Sequence, residues 1–191
     1  MTSDSKPTFR INPDLDRPTL ARQFRDQGRL QIRDALDSGT AEYFRSVLQN
    51  RTNWGLAWQI GAEGPRALRF SEAQALSEDE RRILKRKAGE AVGRGEYGFV
   101  YDQYAMLDAY LERWEPDHPL NRLLEHLNDQ PFLNLLREVS GIHSIIKAEA
   151  QATRFGPEHF LFLVPQRHSV SYVAPFAPSG RYAITGWALD F

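Results

Sequence analysis

Cysteine is absent from the 191-residue chain. That excludes disulfide scaffolds, thiolate zinc sites, cysteine-ligated iron–sulfur clusters and cysteine nucleophiles. Any metal must be held by nitrogen or oxygen. Net charge is nearly absent too: 24 Lys and Arg against 25 Asp and Glu leave a formal charge of -1. No global field draws such a chain to nucleic acid or an anionic membrane, and neither is an expected partner. No apolar run approaches the length of a membrane span. The polar opening MTSDSKPTFRINPDLDRP (1–18) has no apolar signal core, so a soluble cytoplasmic protein is the expectation. There is no internal repeat and no low-complexity tract, and nothing signals an oligomeric state. What remains is ordinary globular composition, 41% hydrophobic and 26% charged, at a length that fits one domain with a helical attachment.

Residues 1–140 read as mostly helical, with a few strands among them. Leu20 and Phe24 lie four apart and Gly28 follows, which predicts a short helix ending there. Leu30 and Ile32 alternate with Gln31 and Arg33, as in a short strand. Tyr43, Phe44, Val47 and Leu48 form one helical stripe. The aromatic-rich stretch from Trp54 to Ile60 reads as extended, broken by Gly61, Gly64 and Pro65. Ser77 stands three residues before Glu80, a capping-box spacing, and Ile83, Leu84, Ala88 and Ala91 mark the helix face that follows. Arg82, Lys85, Arg86 and Lys87 on its other side suit a solvated helix face. The segment GRGEYGFVYDQY (93–104) lacks the spacing of a dinucleotide loop. Its Tyr97, Phe99, Tyr101 and Tyr104 could line a binding surface or simply pack. Asp117 is placed to cap a helix carrying Leu120, Leu123, Leu124 and Leu127. Pro131 can open another, with Phe132, Leu135, Leu136 and Val139 at core spacing, ended by Ser140–Gly141.

The pattern changes after Gly141. In KAEAQATR (147–154), Ala148, Ala150 and Ala152 alternate with longer polar residues, a period of two that predicts a strand with one wet face. The runs 160–165, 168–175 and 181–189 are further strand candidates, with APSG (177–180) as a turn. The class is therefore α+β. Two residues in this region could carry chemistry, His168 and Arg181. By themselves, a histidine at a strand start is usually structural and an arginine opening a strand is usually solvated.

The longer strings add to this. PQRHSVSYVAP…GRYAITGW (165–187) resembles the closing strands of bacterial iron(II)/2-oxoglutarate-dependent dioxygenases of the prolyl 4-hydroxylase-like family. KAEAQATRFGPEHFL (147–161) is similar to that family's first core strand and following turn, and the helices between 77 and 140 to its support layer. The resemblance implies a double-stranded β-helix, a cupin-like jelly roll, with a supporting helical layer. It places His168 at the distal metal histidine, and Arg181 at the basic residue that grips the far carboxylate of 2-oxoglutarate. Imidazole suits Fe(II), and a guanidinium fork suits a carboxylate. It further implies Fe(II) with 2-oxoglutarate as cosubstrate, ascorbate as an accessory, and hydroxylation of a C–H bond. The expected substrate is a prolyl residue in a peptide or protein, with a small molecule as the other class.

One departure counts against a complete site. The family reaches a His-x-Asp pair a few residues after the position of Leu161, but here FLVPQRH follows, and no His-x-Asp or His-x-Glu occurs in the chain. The core is expected to be incomplete, with a segment missing between residues 161 and 162 and a spatial break there. The alternative is a shortened, catalytically inactive jelly-roll binding or structural protein. His159 and Glu158 fit the turn before the metal motif better than they fit a ligand role. His118, His126 and His143 show no ligand spacing.

Overall fold

The computed structural model describes residues 9–161 and the backbone strands Ser169–Ser171 and Tyr182–Leu189. Seven α-helices lie among them: α1 Arg17–Gln27, α2 Ser38–Asn50, α3 Phe70–Ala75, α4 Glu78–Gly93, α5 Met106–Leu111, α6 Pro119–Leu127 and α7 Gln130–Ser140. The strands are β1 Arg29–Gln31, β2 Gly55–Ile60, β3 Pro65–Leu68, β4 Gly98–Tyr104, β5 Lys147–Arg154, β6 Phe160–Leu161, β7 Ser169–Ser171 and β8 Tyr182–Leu189. Helices mixed with antiparallel sheet make the class α+β. Of the four C-terminal strand expectations, 147–154 is met in full, and 160–161, 169–171 and 182–189 are strand within the other three, whose remaining residues lie outside those described.

Helix boundaries follow the local chemistry. Asp16 and Asp37 accept the Thr19 and Thr40 backbone N–H at 3.0 and 2.7 Å, which caps α1 and α2; the threonine hydroxyl bonds, with these backbone bonds, hold both carboxyls below their ordinary pKa. In α4 the capping box closes both ways. The Glu80 N–H donates to Ser77 Oγ at 3.2 Å, and the Ser77 N–H donates to Glu80 Oε2 at 2.8 Å. Gly28 and Gly141 end α1 and α7 at φ 66° and 71°, a left-handed backbone that a side chain would strain.

The chain divides into two compact units. The first takes in described residues from Met1–Arg51, Ala105–Gln151 and Arg167–Phe191. Here α1 packs on α7, α6 on both α2 and α7, and β1 pairs in parallel with β7. The apolar stripes read from the sequence are inside: Leu120, Leu123 and Leu127 of α6, and Phe132, Leu135 and Leu136 of α7, are each at most 2% exposed. The expected cap of α6 needs correction. His118, not Asp117, is the N-cap, because Pro119 starts the helix one residue later than an Asp117 cap requires.

The second unit takes in described residues from Thr52–Tyr104 and Ala152–Gln166. In it β2 is flanked by β3 and β4, both antiparallel. Beyond β4 its edge is shared. Ala152–Arg154 pairs with Asp102–Tyr104, and β6 pairs with Phe99 and Val100. One sheet face carries Leu56, Trp58 and Val100 against Ala88 of α4 and Ala73 of α3, while Ala57, Phe99 and Tyr101 pack with Phe155 in a separate cluster. Gly55 is required by close approach: a Cβ there would lie 2.1 Å from the Leu68 carbonyl oxygen of β3. The sequence reading gave no element to Pro65–Leu68 or Phe70–Ala75. β3 is an edge strand, three of its four residues exposed, and so lacks the apolar alternation that signals a strand.

The β5 alternation holds, with Ala148, Ala150 and Ala152 each at most 2% exposed. Its backbone at Ala148 is satisfied by a side chain. Asn128, the C-cap of α6, accepts the Ala148 N–H through Oδ1 and donates to the Ala148 carbonyl through Nδ2, both at 2.9 Å. The amide thus replaces one rung of a neighbouring strand. Nδ2 also donates to the Leu124 carbonyl at 2.9 Å. Asn128→Ala strands a buried donor and acceptor, and is expected to lower unfolding stability by about 2–4 kcal/mol in chemical denaturation. Asn128→Asp restores only the acceptor and should recover part of that loss.

Candidate functional site

The two residues singled out by the sequence, His168 and Arg181, lie outside the described residues, immediately before β7 and β8 in the chain. The expected break between Leu161 and Phe162 also lies outside them at Phe162. The other polar candidates can be placed.

A polar cluster lies in the second unit, around the pairing of β4 and β5. Asp102 and Arg154 are register partners. Both the Nε and Nη2 groups of Arg154 donate to Asp102 Oδ2, at 2.8 and 2.7 Å. The guanidinium also lies over the Trp54 ring, 5.1 Å from its centroid. The Asp102 side chain is only 13% exposed and that of Arg154 39%, so the pair is sheltered on its acidic side. By alternation along β4, Asp102 shares a face with Val100 and therefore with α4, opposite to Phe99 and Tyr101. With its guanidinium bound to Asp102 and laid on Trp54, Arg154 ties β5 to the sheet.

The chain leaves this cluster by the turn Gly156–His159. Glu158 takes φ 61° in it, and the His159 N–H returns to the Gly156 carbonyl at 3.2 Å. The Gly156 N–H donates to His159 Nδ1 at 3.0 Å. Lys85 of α4 reaches Glu158 at 3.4 Å and the Pro157 carbonyl at 3.5 Å. Burial pushes the His159 pKa down; Asp102 and a hydrogen bond to the Arg154 backbone carbonyl oppose that push, while the Lys85 and Arg154 charges add to it. The structure thus places His159 and Glu158 in the turn, as expected.

The aromatic series is mainly packing. Phe99 and Tyr101 stack at 5.1 Å, Tyr101 meets Phe155 at 5.4 Å, and Tyr97 meets Phe99 edge-on at 5.8 Å. Phe99, Tyr101 and Tyr104 are buried, and Tyr97 is exposed. The basic side of α4 is ion-paired, Arg82 with Asp79 and Arg86 with Glu90. His126 stacks on Phe9 at 4.9 Å and contacts Asp129 at 3.0 Å. Among the described residues, no three His, Asp or Glu side chains are grouped to hold a metal ion.

Sequence reasoning gave His118 no specific part. It is 7% exposed, accepts the Leu120 N–H at Nδ1 (3.2 Å), and donates from Nε2 to the Arg51 carbonyl at 3.1 Å. The Nδ1 contact requires the neutral ring, whereas the Nε2 bond to the Arg51 carbonyl favours the charged one; burial is the larger effect and pushes the pKa below the ordinary value near 6.5. A depressed folded-state pKa means the stabilisation is complete above about pH 6.5 and is lost as pH falls through the folded-state value. Unfolding free energy should therefore fall on acidification from pH 7 to 5. The slope should be shallower in His118→Asn, which keeps a capping oxygen but does not titrate. Equal slopes in the two proteins contradict the assignment. Compared with family models, curated proteins and solved structures, the chain finds no match.

Proposed function

We propose that this chain is the framework of an iron(II)- and 2-oxoglutarate-dependent dioxygenase of the prolyl 4-hydroxylase type, whose iron-holding His-x-Asp segment belongs between Leu161 and Phe162. With that segment the protein hydroxylates a C–H bond, of a prolyl residue in a peptide or protein. The observation that carries the reading is the string around His168 and Arg181, each set directly before a strand. Support also comes from β5, which has the alternation of a core strand and is hydrogen-bonded beside β8. The finer architecture, a double-stranded β-helix backed by helices, is part of the same proposal, as is a cytoplasmic setting. No described helix is long and apolar enough to cross a membrane.

Fe(II) does not fit the donors this chain offers. The sequence has no His-x-Asp, and the described residues contain no three-ligand group. One histidine cannot impose a 2-His-1-carboxylate face. No catalytic step is therefore assigned through iron in the 191-residue form. Arg181 keeps a role that needs no metal: pairing with the far carboxylate of 2-oxoglutarate. The same donor deficit favours a second reading, a metal-free jelly-roll binding or structural module.

The intact mass of the protein from its native source, with a peptide map across residues 161–162, separates the two. The dioxygenase reading predicts a mass above 21.9 kDa and a His-x-Asp peptide following Leu161. A mass of 21.9 kDa with a direct Leu161–Phe162 join overturns it and leaves the binding module. In the longer form, Arg181→Ala should weaken 2-oxoglutarate binding by about 10- to 100-fold in calorimetric titration, from the loss of charged hydrogen bonds. Unchanged affinity removes Arg181 from the site.

A further inference from the structure

We propose that the Gly156–His159 turn is an acid-sensitive latch: the neutral His159 ring holds it closed by accepting the Gly156 N–H at Nδ1, and a proton taken up there removes the acceptor and frees β6 from β4. The proposal is independent of any iron chemistry.

Three features make this turn a device rather than a passive connection. First, one of the two Gly156–His159 hydrogen bonds that close it has a titratable acceptor, the other being the backbone bond from the His159 N–H to the Gly156 carbonyl. The Nδ1 contact at 3.0 Å joins the two ends of the turn, and it cannot form when Nδ1 carries a proton. Second, the turn holds a non-glycine residue at positive φ, Glu158 at 61°. Such a conformation persists only while its surroundings impose it. Third, what the turn holds is small. β6 has two residues, Phe160 and Leu161, paired with Val100 and Phe99. A two-residue strand gains little from its own ladder and depends on the turn for its register.

The charged groups around the ring give the opened state a direction. Asp102 faces it from β4, Lys85 from α4 and Arg154 from β5, while Glu158 lies within the turn and is paired with Lys85. Burial favours the neutral ring and outweighs the Asp102 charge and the bond to the Arg154 backbone carbonyl, which favour the charged one; the Lys85 and Arg154 cations add to the preference for the neutral ring. Once protonated, the ring is repelled by Lys85 and Arg154 and attracted to Asp102. Asp102 already accepts two bonds from Arg154, so an imidazolium competes with Arg154 for that carboxylate. Opening the latch therefore also loosens the rung between β4 and β5. The sign is fixed: the depressed folded-state pKa keeps the latch shut above about pH 6.5, and it opens as pH falls through the folded-state value.

The test is amide hydrogen exchange on the whole chain between pH 8 and 5, expressed as protection factors to remove the intrinsic pH dependence of exchange. Protection at Gly156, Phe160 and Leu161 should fall by about two- to tenfold on acidification, the worth of one hydrogen bond. His159→Asn, which offers a non-titrating oxygen near the Nδ1 position, should retain protection throughout. Wild-type protection that does not change with pH, or an equal fall in His159→Asn, overturns the proposal. Should that variant not fold, the ring titration of His159 is followed by NMR in the wild type. A Gly156 amide shift tracking it with the same midpoint upholds the latch, and a titrating ring with an unmoved Gly156 amide overturns it.

Discussion

The backbone hydrogen bonding of Lys147–Arg154 is the constraint around which the described structure is organised. A strand must satisfy its N–H and C=O groups along both edges, and this one does so with partners of different kinds. The Asn128 amide serves Ala148, β4 serves the last three residues, and β8 is its neighbour in the sheet. Its small residues point inward, so alanines rather than large aliphatics meet the core, while Arg154 reaches out to Asp102 and Trp54. Leaving any of these groups without a partner costs more than forming the bond gained, because the surroundings are dry. Asn128 and Asp102, neither on β5, are therefore as much a part of the strand as its own residues.

Local signals in the sequence translated well where one segment decides its own shape. Gly28, the Ser77–Glu80 box, the stripes of α6 and α7, and the period of two in KAEAQATR each express a short-range rule, and each is found where the rule puts it. The misses have a common cause. His118 displaces Asp117 as a cap because Pro119 fixes the helix start and because the Arg51 carbonyl, 67 residues away, needs a donor. Asn128 carries no strand or site motif, yet it completes β5. The Asp102–Arg154 pair exists only because two strands distant in sequence fall into register. Edge strand β3 lacks alternation because three of its four residues are exposed. None of these can be read from spacing within a window.

For function the balance differs. The proposed dioxygenase reading rests on the string from 165 to 187, in which His168 and Arg181 directly precede β7 and β8 in the chain. The described polar residues make another kind of site. Asp102, Arg154 and Trp54 satisfy one another, and His159 is committed to a turn. They brace the sheet instead of presenting open ligands. On the proposed reading, the metal-binding His-x-Asp belongs to a segment separate from these residues. In that reading a His-x-Asp pair supplies two of three ligands, so a chain without it would lack the metal face while keeping the local chemistry of its other elements.

The most direct measurement is anaerobic Fe(II) titration of the 191-residue chain, with and without 2-oxoglutarate, followed calorimetrically and by the visible absorption of the iron–2-oxoglutarate complex. The account predicts no stoichiometric uptake and no such absorption, since His168 stands without a His-x-Asp partner. Binding of one Fe(II) per chain, with the absorption appearing on addition of 2-oxoglutarate, contradicts it and shows that this sequence assembles the metal face from other residues.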